Sequence, residues 1–132
     1  DRETMETCIE AAQTGHFVLS TLHTRGAVKT FDRILEFFPK EEHHAILHRL
    51  GETLTFVLSQ GLLPGFNGRC LVTEYLQNTS DTVAAGMRAY DGNTTSLEDT
   101  LRYKGNRRWE ESMMKLYRDE KISENIFNEN LL

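Results

Sequence analysis

The sequence predicts an α/β fold with few strands and a helical C-terminal region. Three observations carry that expectation. A nearly continuous apolar run fills residues 16–23, a second strand-like run fills 69–76, and apolar residues at helical spacing fill most of the rest. The order helix, strand, helix, helix, strand and then helices suits an α/β sheet. Two strands are few for such a sheet, so further strands are expected upstream of Asp1 or among the turns.

Residues 2–14 read as a helix. Met5, Cys8, Ile9 and Ala12 recur on one face, and Gly15 can supply a left-handed stop. The run His16-Phe-Val-Leu-Ser-Thr-Leu-His23 suits a strand buried on both faces, as in a parallel sheet. Residues 26–38 form the next helix, with Val28, Phe31, Ile34, Leu35 and Phe38 inward and Pro39 following. Residues 40–62 are expected to form a long helix. Its stripe is Ile46, Leu47, Leu50, Leu54, Val57 and Leu58, and Glu41 and Glu42 sit at its positive end.

Pro64-Gly65 and Gly68 break the chain before the strand Arg69–Leu76. Thr79, Ser80 or Asp81 can cap a helix reaching about Tyr90, and Asp91-Gly92-Asn93 is a turn. Helices of about 96–103, 108–119 and 124–131 complete the chain. Met113 and Met114, near Trp109 and Tyr117, read most simply as core.

Composition narrows the classes. The 132 residues fit one domain, and 39% hydrophobic with 27% charged residues is the balance of a globular protein. The net charge of −5 argues against a broad nucleic-acid footprint, and no nucleic-acid partner is expected. The one basic cluster, Lys104, Arg107 and Arg108 beside Trp109, reads as a solvated loop. No apolar run approaches the ~20 residues of a membrane span. Cys8 and Cys70 are isolated and fit no metal-ligand spacing; buried thiols in a reducing compartment are expected. The start at Asp1 without Met leads us to expect a fragment or a processed product.

The candidate site is Thr14–Thr24. Its strand ends in Thr21, His23 and Thr24, and in open α/β sheets ligands bind outside the carboxyl ends of strands. A histidine there can hydrogen-bond a phosphate oxygen or a water. The same polar groups can also serve merely as strand-end caps, and spacing alone leaves both readings open. His44 and His48 are four apart and could share a metal, but no third ligand is near, so no metal site is expected.

The pattern Thr14-Gly15-His16-x-Val18-x-x-Thr21-Leu22-His23-Thr24 resembles the His box of the PilT/GspE superfamily of secretion and pilus ATPases. Asp1-x-Glu3-Thr4 is similar to the end of that family's Walker B run. Ile9-Glu10-Ala11-Ala12, Ala27-x-x-Thr30-x-Asp32-Arg33 with Phe38-Pro39, Leu58-Ser59-Gln60-x-Leu62-Leu63 and Gly68-Arg69 through Glu74 continue the match. Lys115-Leu116-Tyr117 and Lys121-Ile122-Ser123 resemble its closing helices.

The resemblance implies the following. Residues 1–76 would be the C-terminal half of a RecA-like P-loop NTPase core, and residues 77–132 a helical C-terminal subdomain. His23 would sense the γ-phosphate or the attacking water. His16 would stand at the start of the strand, and Thr21 and Thr24 would fix the backbone. Arg33 and Arg88 would be candidates for interdomain or intersubunit ion pairs, with exposed pairs as the alternative. The intact protein would be a cytoplasmic homo-hexamer, peripheral to the inner membrane. It would bind ATP and Mg²⁺ and drive a secretion, conjugation or pilus machine.

The sequence also departs from the family pattern. It has no GxxxxGK[ST] phosphate loop, so these residues alone are expected to bind no nucleotide tightly. It has no CxxC pair. Where pilus-retraction members carry Ala-Ile-Arg-Asn-Leu-Ile, residues 83–89 read Val-Ala-Ala-Gly-Met-Arg-Ala, which favours a relative of the DotB/TraJ kind. The rival expectation is a non-catalytic assembly or interaction module derived from such an ATPase.

Overall fold

A computed structural model of the chain describes residues 1–78, 81–89, 95–100, 102 and 105–131. Three helices come first: α1 (Arg2–Gln13), α2 (Ala27–Leu35) and α3 (His43–Thr53), the last entered through a single 3₁₀ turn at Lys40–Glu42. A hairpin of β1 (Phe56–Gly65) and β2 (Gly68–Gln77) follows. Among the described residues four short helices follow: α4 (Asp81–Arg88), α5 (Thr95–Thr100), α6 (Trp109–Arg118) and α7 (Glu124–Glu129). The expected α/β character is present, but the described sheet is an antiparallel pair.

Local chemistry explains the helix ends. The Asp1 carboxylate accepts the Thr4 N–H at 2.9 Å and caps α1. Ser123 caps α7 through Ile126 N at 3.3 Å. α1 is tied to the rest by Arg2, whose guanidinium donates to both Glu42 oxygens at 3.0 Å, and by Gln13, which accepts from Arg49 Nε at 2.8 Å.

Two apolar cores lie on the inner side of the hairpin. The first gathers Ile9, Val28, Phe31, Ile34, Leu35, Ile46, Leu47 and Leu50 with Leu76, Met87 and Leu97. The second gathers Leu63 and Val72 with Trp109, Met113 and Ile122. Strand β2 contributes to both, so the hairpin is the element that joins them. Met113 is fully buried, whereas Met114 is 38% exposed.

The expected helix 40–62 is corrected: α3 stops at Thr53, and residues 56–65 are strand β1. The apolar stripe fits a helix because Leu54, Val57 and Leu58 fall at helical spacing by coincidence. The inward alternation of the strand is hidden, since its inner face carries the small residues Ser59 and Gly61. Pro64 is also not a break. It pairs with Arg69 inside the ladder, and the chain reverses through Phe66-Asn67. β1 is an edge strand, where proline is tolerated.

The expected buried strand 16–23 is the second correction. The segment has no regular hydrogen-bonded structure, and Phe17 and Leu19 are 82% and 76% exposed. A strand exists only beside a partner, and among the described residues none runs alongside it. The inner edge of β2 is already occupied. Tyr75 exchanges two 2.8 Å main-chain bonds with Arg107, Thr73 N–H donates to Ser112 Oγ at 3.1 Å, and Gln77 N–H donates to Asn106 Oδ1 at 2.7 Å. Arg107 thus belongs to a pairing, which the reading of its cluster as a solvated loop missed. The proposed caps Thr79 and Ser80, the helix end at Tyr90 and the turn 91–93 lie outside the described residues.

Candidate functional site

The segment Thr14–Thr24 is anchored at both ends and, between them, packs on the first core through Leu22. At its start Thr14 Oγ1 donates to Ala11 O at 2.9 Å and lies 3.1 Å from His16 Nδ1. The His16 N–H returns to Ala11 O at 3.0 Å. Gly15, at φ 91°, makes the left-handed step that lets the chain leave α1. His16 is therefore part of the helix terminus.

Beyond it Thr21 and His23 are exposed, and Leu22 packs against the first core. Among the described residues nothing hydrogen-bonds the His23 ring. At the far end Thr24 Oγ1 lies 2.8 Å from Thr30 Oγ1, which also donates to Gly26 O at 3.2 Å.

The residues after Thr24 are held by the hairpin. Gly26 N–H donates to Ser59 Oγ at 2.8 Å, and Ala27 N–H donates to Glu74 Oε1. The second oxygen of Glu74 accepts the Trp109 N–H at 3.2 Å. Ser59 and Glu74 face each other across the ladder and both are buried. One carboxylate therefore closes the first turn of two helices, α2 and α6. Helix N-termini carry partial positive charge and unpaired N–H groups, so each stabilises the buried anion. Without such donors a buried carboxylate costs several kcal/mol.

This arrangement defines what the site can do with a phosphate. His23 and Thr21 present free side-chain polar groups that fit a phosphate oxygen. At the N-terminus of α2, otherwise an anion site, the Gly26 and Ala27 amides are already taken by Ser59 and Glu74. The site can report or polarise a phosphate held from elsewhere; the sequence has no phosphate-loop motif, whose lysine and amides would hold one.

The other expected residues are dispersed. Arg33 is an exposed side chain paired with Glu36 and stacked over Phe37, its guanidinium carbon 5.2 Å from the ring centroid. The Arg88 side chain lies outside the described residues. His43 Nε2 donates to Phe38 O at 3.0 Å, His48 Nδ1 lies 3.7 Å from Glu52 Oε1, and His44 is exposed. Among the described residues no three His, Cys, Asp or Glu side chains converge on a metal position, and no helix is long and apolar enough to cross a membrane. Cys8 and Cys70 are free and half-buried.

Sequence reasoning missed Ser59, Glu74, Arg25 and Trp109. One clue was available for Glu74: it falls on the inward positions of β2, between Val72 and Leu76. A charge in that register demands partners.

Known proteins place this geometry in context. The chain is 45% identical over 75 residues to a "Twitching motility protein" of Neisseria gonorrhoeae, covering 57% of this chain and 20% of that one. Its fold matches the pilus retraction motor PilT, solved with bound ADP, at a TM-score of 0.85 and 30% identity, over 98% of this chain and 36% of that one. It matches the Legionella pneumophila ATPase DotB nearly as well, at 0.84 and 28%, over 97% of this chain and 35% of that one. The chain thus spans about a fifth to a third of the length of these relatives. The sequence model of the type II/IV secretion system proteins matches residues 1–130, and the chain belongs to that family.

Proposed function

We propose that the chain is the C-terminal part of the RecA-like core of a hexameric motor ATPase that drives secretion, conjugation or pilus dynamics. In this reading residues 1–76 close the core and residues 77–132 form a helical subdomain. The intact protein binds ATP and Mg²⁺, works in the cytoplasm and docks on a machine at the inner membrane. ATP would supply the phosphoryl group and Mg²⁺ its charge neutralisation, both held mainly by residues outside this chain. His23 contacts the γ-phosphate or the attacking water, Thr21 and Thr24 set its backbone, and Arg33 and Arg88 serve at interfaces.

The observation that supports this best is the state of His23. Its ring is exposed and unpartnered among the described residues, yet it stands only a few residues before the clasped N-terminus of α2. A free side chain on an anchored backbone suits a ligand-sensing group. The exposure of Phe17 and Leu19 favours a second reading, a non-catalytic assembly module that docks through this segment.

The test uses the complete ATPase. His23→Ala should lower kcat about 10- to 100-fold, or about 1.4–2.7 kcal/mol, with a smaller change in KM. His44→Ala should change neither. Equal behaviour of the two variants would remove His23 from the site.

A further inference from the structure

Arg25 directly follows the Thr14–Thr24 segment and directly precedes the clasped Gly26. Its guanidinium carbon lies 5.0 Å from the centroid of the Trp109 ring, and its Nη2 donates to Asn130 Oδ1 at 3.0 Å. The Trp109 indole N–H donates to the Asn130 main-chain oxygen at 2.8 Å, and Asn130 Nδ2 donates to Ile126 O at 2.9 Å. Arg25, Trp109 and Asn130 therefore form a closed triangle between the candidate site and the end of α7.

A second connection runs in parallel. The Trp109 main-chain N–H shares the Glu74 carboxylate with Ala27 N–H. Residues 25 and 27 are thus tied to the same tryptophan, which is fully buried. Upstream, residues 17–23 have no ladder to fix them. The position of His23 is then set by Leu22, which packs on the first core, and by the hydrogen-bonded anchor at Thr24–Ala27.

The geometry points to Arg25 as a positioning residue for His23, through which α6 and α7 govern the site. The inference rests on the proposed role of His23. It goes further in making the C-terminal helices a control on that role: where α7 is undocked, Arg25 loses Asn130 and the segment before it loosens. Arginine suits the task because its planar guanidinium can stack on the indole and donate in its own plane at once.

The experiment uses the complete ATPase with Arg25→Ala, Arg25→Lys and Asn130→Ala. We read kcat, KM for Mg-ATP, and amide hydrogen exchange across residues 20–27. Arg25→Ala should lower kcat about 5- to 20-fold with KM changed less than about twofold. Within 20–27 the bonded amides of Gly26 and Ala27 should exchange about tenfold faster, while the rest of α2 and α3 stays slow. Arg25→Lys should recover only part of kcat, since an ammonium cannot stack on the indole and donate to Asn130 in one plane, and Asn130→Ala should show the Arg25→Ala pattern more weakly without disturbing the stack. Unchanged exchange in 20–27 overturns the inference. So does unchanged kcat in Arg25→Ala when His23→Ala is impaired in the same assay. If His23→Ala is itself unimpaired, the role of His23 fails, and the exchange data alone decide whether Arg25 holds the segment.

Discussion

Gly61 lies directly beneath Trp109: a Cβ built on the glycine would come within 2.8 Å of the indole Cη2. The indole is fully buried, stacked by Arg25 and hydrogen-bonded to Asn130, so it has little room to yield. Gly61→Ala should destabilise the chain by about 1–3 kcal/mol through overpacking. Urea denaturation followed by Trp109 fluorescence reads this directly. An unchanged midpoint would mean that the indole moves freely.

The Glu74 carboxylate gives a second prediction. Glutamine keeps one acceptor oxygen, and its amide would then confront one of two main-chain N–H groups. Glu74→Gln should cost about 1–3 kcal/mol, the usual penalty for a buried donor left unpaired. Whichever of the Ala27 and Trp109 amides faces the new NH₂ group should exchange faster, and unchanged exchange at both would show that the carboxylate holds neither.

How much of this was legible beforehand depended on side-chain size. Helices α1 and α2 and strand β2 announced themselves because their inward residues are large and apolar, as with Phe31, Ile34 and Val72. Strand β1 did not, because two of its inward positions, Ser59 and Gly61, serve neighbours rather than a core. Ser59 accepts from Gly26, and Gly61 makes way for Trp109. The resemblance around Thr14–Thr24 identified the family correctly, while the reading of those residues as a buried strand failed. Apolar content says that a segment can be covered; it does not say by what. Arg25 was passed over because its partners, Trp109 and Asn130, are distant in sequence.

Residues 1–132 alone should not bind nucleotide appreciably. They contain no phosphate loop, and the Gly26 and Ala27 amides at the start of α2 already have acceptors. Calorimetry with Mg-ATP should show no affinity tighter than about 100 μM. Micromolar binding would contradict this.

The isolated chain should also associate with itself. Phe17 and Leu19 are almost bare, and the outer face of the hairpin presents Leu58, Leu62 and Leu71, each more than half exposed. Apolar patches of this kind usually find a partner. Light scattering should reveal species larger than 15.2 kDa, and Phe17→Ser with Leu19→Ser should reduce them. A monodisperse monomer with a sharp cooperative melt would refute the expectation.

The shared carboxylate has a consequence for recombination between relatives. Glu74 terminates both α2 and α6, so the helices are cut to fit one acceptor supplied by neither. A chimera whose crossover falls between Ala27 and Trp109 inherits at least one donor from a different parent than Glu74. It is sound only where both parents offer the same acceptor at that place. Crossovers before Arg25 or after Asn130 leave the whole set with one parent. The interchangeable unit in such exchanges is therefore the stretch from Arg25 to Asn130, and boundaries drawn at the hairpin would divide a single joint.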